Sequence, residues 1–265
     1  MMLFKEIAIA AVLLLISGCN LQNRFLYFPS SVSPSEELLR AENLKLWQIS
    51  GSDYRGIVAA SDPYGAARGT IIVFHGNGGI AADRTYYLKY LGSLGYRTII
   101  AEYPAYGGRK GEVGENSFVS DGQETVRLAA EKYAGPLYIL GESLGCGIVA
   151  AVAAKTQIRI DGIILITPWD TLASIAAAKF PFLPVRFFLT DKYDNIGNLR
   201  SFKGKIVVVG AERDEVIPIS HAEKLYGSLP QKMSRMWIMR GAGHNDWPMR
   251  VNRGLWEEIM DFISA

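Results

Sequence analysis

From Thr70 onward, short apolar β-branched runs alternate with stretches of helix-like content, and no other feature of the chain limits its fold so tightly. The runs are Thr70 to Phe74, Arg97 to Ala101, Leu137 to Leu140, Ile160 to Ile166, Ile206 to Val209 and Met236 to Met239. Such unbroken hydrophobicity suits strands covered on both faces. Helix-like segments occupy 80–94, 118–133, 144–155, 219–227 and 249–263. The chain therefore reads as α/β: a mostly parallel central sheet with helices on both faces. Upstream, Leu44 to Ile49 and Tyr54 to Ala60 flank the turn-rich Ser50-Gly51-Ser52-Asp53 and predict an antiparallel hairpin. Residues 171–200 break the rhythm with an Ala-rich helix followed by Phe180-Pro181-Phe182-Leu183-Pro184, which cannot continue as helix. This stretch is expected to form a small cap insertion. With 265 residues, 49% hydrophobic and 20% charged, one large domain over 44–265 is expected, and a single substantial core can be buried.

The first residues are set aside from the fold. Lys5 precedes an apolar run, Ile7 to Ile16, and then Ser17-Gly18-Cys19. A run of about ten apolar residues is too short for a hydrocarbon core that needs about twenty. Residues 1–18 therefore read as a signal peptide, and Ile16-Ser17-Gly18-Cys19 resembles a bacterial lipobox. The expectation is a lipidated Cys19, an anchor in the bacterial cell envelope, and, from Asn20, the outer membrane facing the periplasm. The alternatives are an ordinary signal peptide or a short membrane anchor. Residues 19–43 then form a tether and an N-terminal edge, rich in aromatics but without periodicity. Cys146 is left as a free thiol, so no internal disulfide can form. A net charge of +2 from 28 basic and 26 acidic residues, with no Lys/Arg run, argues against nucleic acid as a partner.

Chemistry concentrates in Gly141-Glu142-Ser143-Leu144-Gly145, a G-x-S-x-G sequence that follows the apolar run Leu137 to Leu140 and precedes an Ala/Val-rich helix. In that setting it predicts a nucleophile elbow, a sharp strand-to-helix turn that lifts Ser143 above the sheet. A serine hydroxyl needs a base to take its proton, and histidine has the pKa for it. Of the three histidines, His75 precedes the serine and His221 opens a helix, where it reads as an exposed residue. His244 follows the last strand, the place this architecture gives its base. The acid is expected after the strand Ile206 to Val209, in Gly210-Ala211-Glu212-Arg213-Asp214-Glu215-Val216-Ile217-Pro218. Asp214 is favoured, because the apolar residues and proline after it would hold a short carboxylate rigidly, leaving Glu212 and Glu215 to face solvent or cap the next helix. For the oxyanion, the backbone amide of Leu144 and one from His75-Gly76-Asn77-Gly78-Gly79, taken as Asn77, are the expected donors. No G-x-x-x-x-G-K-[ST] is present, so that glycine-rich loop does not read as a nucleotide cradle.

With these blocks and Glu102-Tyr103-Pro104-Ala105-Tyr106-Gly107, residues 70–250 resemble the α/β-hydrolase superfamily. The closer likeness is to its lid-poor branch of serine aminopeptidase-like and acyl-thioesterase-like proteins, which includes bacterial lipoprotein hydrolases. The resemblance implies roles for Ser143, Asp214, His244, Asn77 and Leu144, and is unspecific for substrate. Two positions depart from the family pattern: Cys146 and Ala105 stand where glycine is common. Cys146 reads as a small packing residue, with a redox role as the remote alternative.

The expected activity is hydrolysis of small acyl esters or thioesters through an acyl-enzyme on Ser143. Its rivals are a serine peptidase on short peptides and a non-catalytic envelope lipoprotein. The Phe/Pro/Leu cluster of the cap either lines an acyl pocket or packs as a loop. No cofactor is required and no metal-ligand spacing is found, so no bound metal is expected. A monomer is expected, joined to the membrane through its N-terminal lipid.

Overall fold

The computed structural model describes residues 22–24, 26–48, 53–61, 67–182, 184–185 and 188–265. Cys19, the signal segment, and the Ser50-Gly51-Ser52 turn lie outside the described residues. Eight strands form one sheet: β1 (Leu44–Trp47), β2 (Gly56–Ala59), β3 (Thr70–Phe74), β4 (Arg97–Ala101), β5 (Leu137–Glu142), β6 (Gly162–Ile166), β7 (Lys205–Ala211) and β8 (Ser234–Met239). Their order across the sheet is β8-β7-β6-β5-β3-β4-β2-β1. β1 and β2 make the antiparallel hairpin, and β2 joins β4 antiparallel; every other pairing is parallel.

The unbroken apolar runs have a direct cause in this sheet. Alternate residues feed two separate cores. Ile72, Phe74, Ile139, Ile163, Leu165, Ile206 and Val208 point to one, with Phe118 and Val126 of α3 (Glu115–Lys132) and Val149 and Val152 of α4 (Leu144–Lys155). Ile71, Val73, Leu140, Ile164, Ile166, Val207 and Val209 point to the other, with Tyr87 and Leu91 of α2 (Tyr86–Ser93) and Trp256, Ile259 and Met260 of α8 (Arg253–Ser264). A strand with helices on both sides has no solvated face on which to alternate polar residues.

Local chemistry adjusts several boundaries. The helix expected over 80–94 divides into a 3₁₀ turn, Ala81–Arg84, and α2. The turn is pinned where Ala81 N–H donates to the buried Glu102 carboxylate at 2.8 Å, and Ile80 N–H to Asp83 at 2.9 Å. The helix expected from 249 begins at Arg253, where Asn252 Oδ1 accepts from Leu255 N–H at 3.1 Å. Within the segment that lacked periodicity, Glu36–Ala41 is helical (α1), with Ser35 as its cap and two acidic residues in its first turn. Phe28–Pro29 pairs in parallel with Gly78–Gly79, a two-residue contact that no sequence period announces.

The 171–200 stretch leaves β6 through Thr171, whose side chain caps α5 (Leu172–Lys179), and returns through α6 (Asn195–Leu199). An isolated bridge between Thr171 and Asp194 ties its two ends together. α7 (Ile219–Gly227) follows β7 and packs on it and β8.

Candidate active site

Ser143 sits between β5 and α4 with φ 50° and ψ −113°, a strained conformation for a residue carrying a Cβ. Its two flanking glycines are both required. A Cβ on Gly141 would lie 2.5 Å from Gly145 O, and one on Gly145 would lie 1.9 Å from Phe74 O. The elbow is therefore pressed against the end of β3, which is possible only without side chains at these positions. Ser143 N–H donates to Ile166 O at 2.9 Å, fixing the turn to β6.

His244 lies in the loop after β8. Its Nε2 is 2.9 Å from Ser143 Oγ, and its Nδ1 is 2.8 Å from Asp214 Oδ2. Asp214 is buried, and its other oxygen, Oδ1, accepts from Val216 N–H at 2.9 Å and Ile217 N–H at 2.7 Å. One carboxylate oxygen thus anchors the loop and the other faces the imidazole. Because Asp214 accepts at Nδ1, that nitrogen carries the proton and Nε2 presents a lone pair to the serine. The neighbouring acids are used elsewhere. Glu212 is half-buried rather than free in solvent, paired with Arg240 at 2.6 Å and accepting from Gly241 N–H at 2.7 Å. Glu215 is exposed and accepts from His244 N–H at 3.3 Å, touching the backbone of that loop and not its ring.

Leu144 is buried at the first position of α4, immediately after Ser143. Asn77 lies in the loop after β3, and its side chain has a task the sequence did not disclose. Its Nδ2 donates to Leu26 O at 2.6 Å, while Oδ1 accepts from Phe28 N–H at 3.0 Å and Tyr106 Oη–H at 2.9 Å. It holds the N-terminal segment against the loop after β3, whose first carbonyl, that of His75, lies close to Gly145 of the elbow.

His75 is fully buried, and its ring hydrogen-bonds to groups other than Ser143. Its Nδ1 faces Gly76 O at 2.7 Å and its Nε2 faces Glu102 Oε1 at 3.0 Å. Both ring nitrogens meet acceptors, which makes this pair a cross-brace beneath the loop. A second acid in the site escaped the sequence reading because it occupies the variable position of the motif. Glu142 is buried and accepts from Tyr86 and Tyr87 hydroxyls at 2.8 Å each and from Arg84 Nε at 3.2 Å. Burial opposes the Arg84 charge, and Glu142 beside it more than compensates, so the guanidinium pKa is raised. Cys146 is wholly buried with Sγ donating to Gly141 O and Ile166 O at 3.1 and 3.2 Å, and burial pushes its thiol well above the usual range. Such a thiol packs and does not react.

His221 is not the exposed residue its helical position suggested. Its side chain is 13% exposed, and Nδ1 lies 2.7 Å from Asp170 Oδ1, a carboxylate with no exposure at all. Ser174 of α5 donates to the same oxygen at 2.5 Å, and Lys224 Nζ lies 2.5 Å from Oδ2. This cluster fastens α5 to α7. Burial alone would raise the Asp170 carboxyl, but the hydrogen bonds from Lys224, Ser174 and His221 outweigh it and hold its pKa well below the usual range. A group depressed in the fold contributes stability above its unfolded pKa and loses it as pH falls through the folded one. Asp170→Asn should therefore have a lower urea midpoint than wild type at pH 7. Urea titrations at several pH values should show that gap closing between about pH 5 and pH 1.

The family described as alpha/beta hydrolase fold matches residues 69–203, just over half of the chain. An uncharacterized Mycobacterium tuberculosis protein, Rv2307c, is 26% identical over 272 residues, covering 97% of this chain and 94% of that protein. The lysophosphatidylserine lipase ABHD12 of Danio rerio is 26% identical over 183 residues, covering 62% of this chain and 48% of that protein. Among solved structures, the Pyrococcus furiosus esterase Pf2001 superposes with a TM-score of 0.64 at 15% identity, covering 91% of this chain and 99% of that one. At that identity the likeness speaks for the fold alone. Taken with the strand order and the elbow, the family match shows that the chain belongs to the α/β-hydrolase family.

Proposed function

We propose that this protein is a serine hydrolase that cleaves carboxylic esters or thioesters of acyl substrates through an acyl-enzyme on Ser143. The observation that carries this reading is the hydrogen-bonded series from Ser143 Oγ through His244 to Asp214, with no gap longer than 2.9 Å. Ser143 Oγ attacks the acyl carbon while its proton passes to His244 Nε2. Asp214, held by two amides, keeps the tautomer and stabilises the imidazolium. The negative charge that develops on the carbonyl oxygen is met by the main-chain N–H groups of Leu144 and Asn77. The tetrahedral species collapses, the leaving alkoxide or thiolate takes the proton from Nε2, and water repeats the sequence to release the acid.

The N-terminal sequence adds the setting: a lipid on Cys19 and a place in the bacterial envelope, at the outer membrane. Among the described residues, no helix is long and apolar enough to cross a bilayer. The lysophosphatidylserine lipase among the similar proteins agrees with an acyl ester as substrate. The test is labelling of the purified protein with a fluorophosphonate probe, then mapping of the modified peptide. Modification of Ser143 in wild type, lost in His244→Ala, is the expected result. A wild type that neither labels nor turns over p-nitrophenyl esters of any chain length refutes the reading.

A further inference from the structure

In a parallel sheet the loops that follow the strands gather at one edge, and here that edge carries Ser143. The same loops, and the N-terminal segment paired onto one of them, carry six large apolar side chains exposed to solvent. Phe180 (45%), Phe182 (96%) and Phe188 (66%) follow β6; Val216 (47%) follows β7; Met249 (82%) follows β8; and Phe28 (58%) is paired onto the loop after β3. Burial in the two cores accounts for none of them. Single exposed apolar residues are ordinary, but a set distributed over four loops of one edge marks a surface for contact.

The entry of the chain into the fold decides what that surface meets. Gln22 is fastened to the 171–200 insertion: its Nε2 donates to Asp191 at 2.9 Å and its Oε1 accepts from Thr190 N–H at 2.7 Å. Tyr27 Oη–H donates to the same Asp191 at 2.6 Å. The N-terminal segment therefore joins the domain at the edge that bears the phenylalanines. From Cys19 to Gln22 an extended chain spans about 10 Å, and from Ile16 about 20 Å. Neither length reaches around a domain of this size.

We infer that the apolar rim around Ser143 docks onto the surface of the bilayer that holds the N-terminus, so that the site opens toward lipid. This rests on the proposed membrane anchoring of the N-terminal segment. A lipid surface is favoured over a protein partner because the tether already confines this edge to within a few residues' reach of it. Partial insertion of aromatic and aliphatic side chains at the headgroup boundary would bury the exposed surface that the fold leaves uncovered.

The experiment uses full-length chain in vesicles of phosphatidylethanolamine and phosphatidylglycerol. Phe182→Cys and, at the opposite edge before β8, Lys232→Cys are each labelled with pyrene maleimide. The parent chain, whose Cys146 is buried, is labelled in parallel to subtract any signal from Cys19. Lipids nitroxide-labelled near the headgroup should quench the label at 182 at least about two-fold more than the label at 232, as insertion of the rim to the headgroup boundary requires. Failure of the parent chain to float with vesicles overturns the anchoring and the docking together. Flotation with equal quenching at the two positions overturns the docking alone. Excimer emission from position 182 without quenching would show a second copy of the chain on the rim, and also overturns it.

Discussion

Ser143→Ala and His244→Ala should each lower kcat for a p-nitrophenyl ester by on the order of 10⁶-fold, and the double variant should be no slower than either alone. The reason is the single hydrogen bond of 2.9 Å that joins them. A serine without its base keeps its proton, and a base without its serine has nothing to activate. Each truncation therefore removes the whole unit. What remains should be the contribution of the oxyanion donors and of substrate binding, so KM should change far less than kcat. Steady-state kinetics on the three variants decides this. A double variant slower than both singles by a further large factor would mean that the two residues act independently and that the proposed relay is wrong.

Asp214→Asn should be milder, costing about 10⁴-fold in kcat with a largely intact fold. The geometry separates the two roles of this residue. Asparagine can keep its Oδ1 on the Val216 and Ile217 amides, so the loop should hold. Its Nδ2 then faces His244 Nδ1 as a donor, which places the imidazole proton on Nε2, aimed at Ser143 instead of away from it. Thermal denaturation close to wild type, together with the loss in kcat, is the expected pair of results. A variant that unfolds would show that the carboxylate is chiefly structural. Asp214→Ala provides the comparison, since it removes the loop anchor as well.

The features legible in the sequence were those whose causes are local. Strands buried on both faces must be apolar throughout, so the runs near Thr70, Leu137 and Ile206 could be read without knowing their partners. The tight elbow must have glycine at 141 and 145, because backbone atoms occupy the space of a Cβ. Asp214 was legible for a related reason, since the chain after it rises into an apolar turn that its carboxylate caps. What remained hidden depends on partners distant in sequence. His221 looked exposed because its helix says nothing of Asp170, 51 residues upstream. The Asn77 side chain could not be assigned because its partners, Leu26 and Tyr106, lie 51 and 29 residues away in the chain. Glu142 was hidden by the motif itself, whose second position admits any residue.

The clasp formed by Gln22 and Tyr27 also bears on how the protein is made. Tyr27 meets Asp191, 164 residues later in the chain, so this contact cannot close until most of the domain has been synthesised and the sheet around Ser143 exists. Until then Gln22 and Tyr27 lack the carboxylate of Asp191 that they share. The N-terminal segment, made early, is thus among the last parts of the fold to seat.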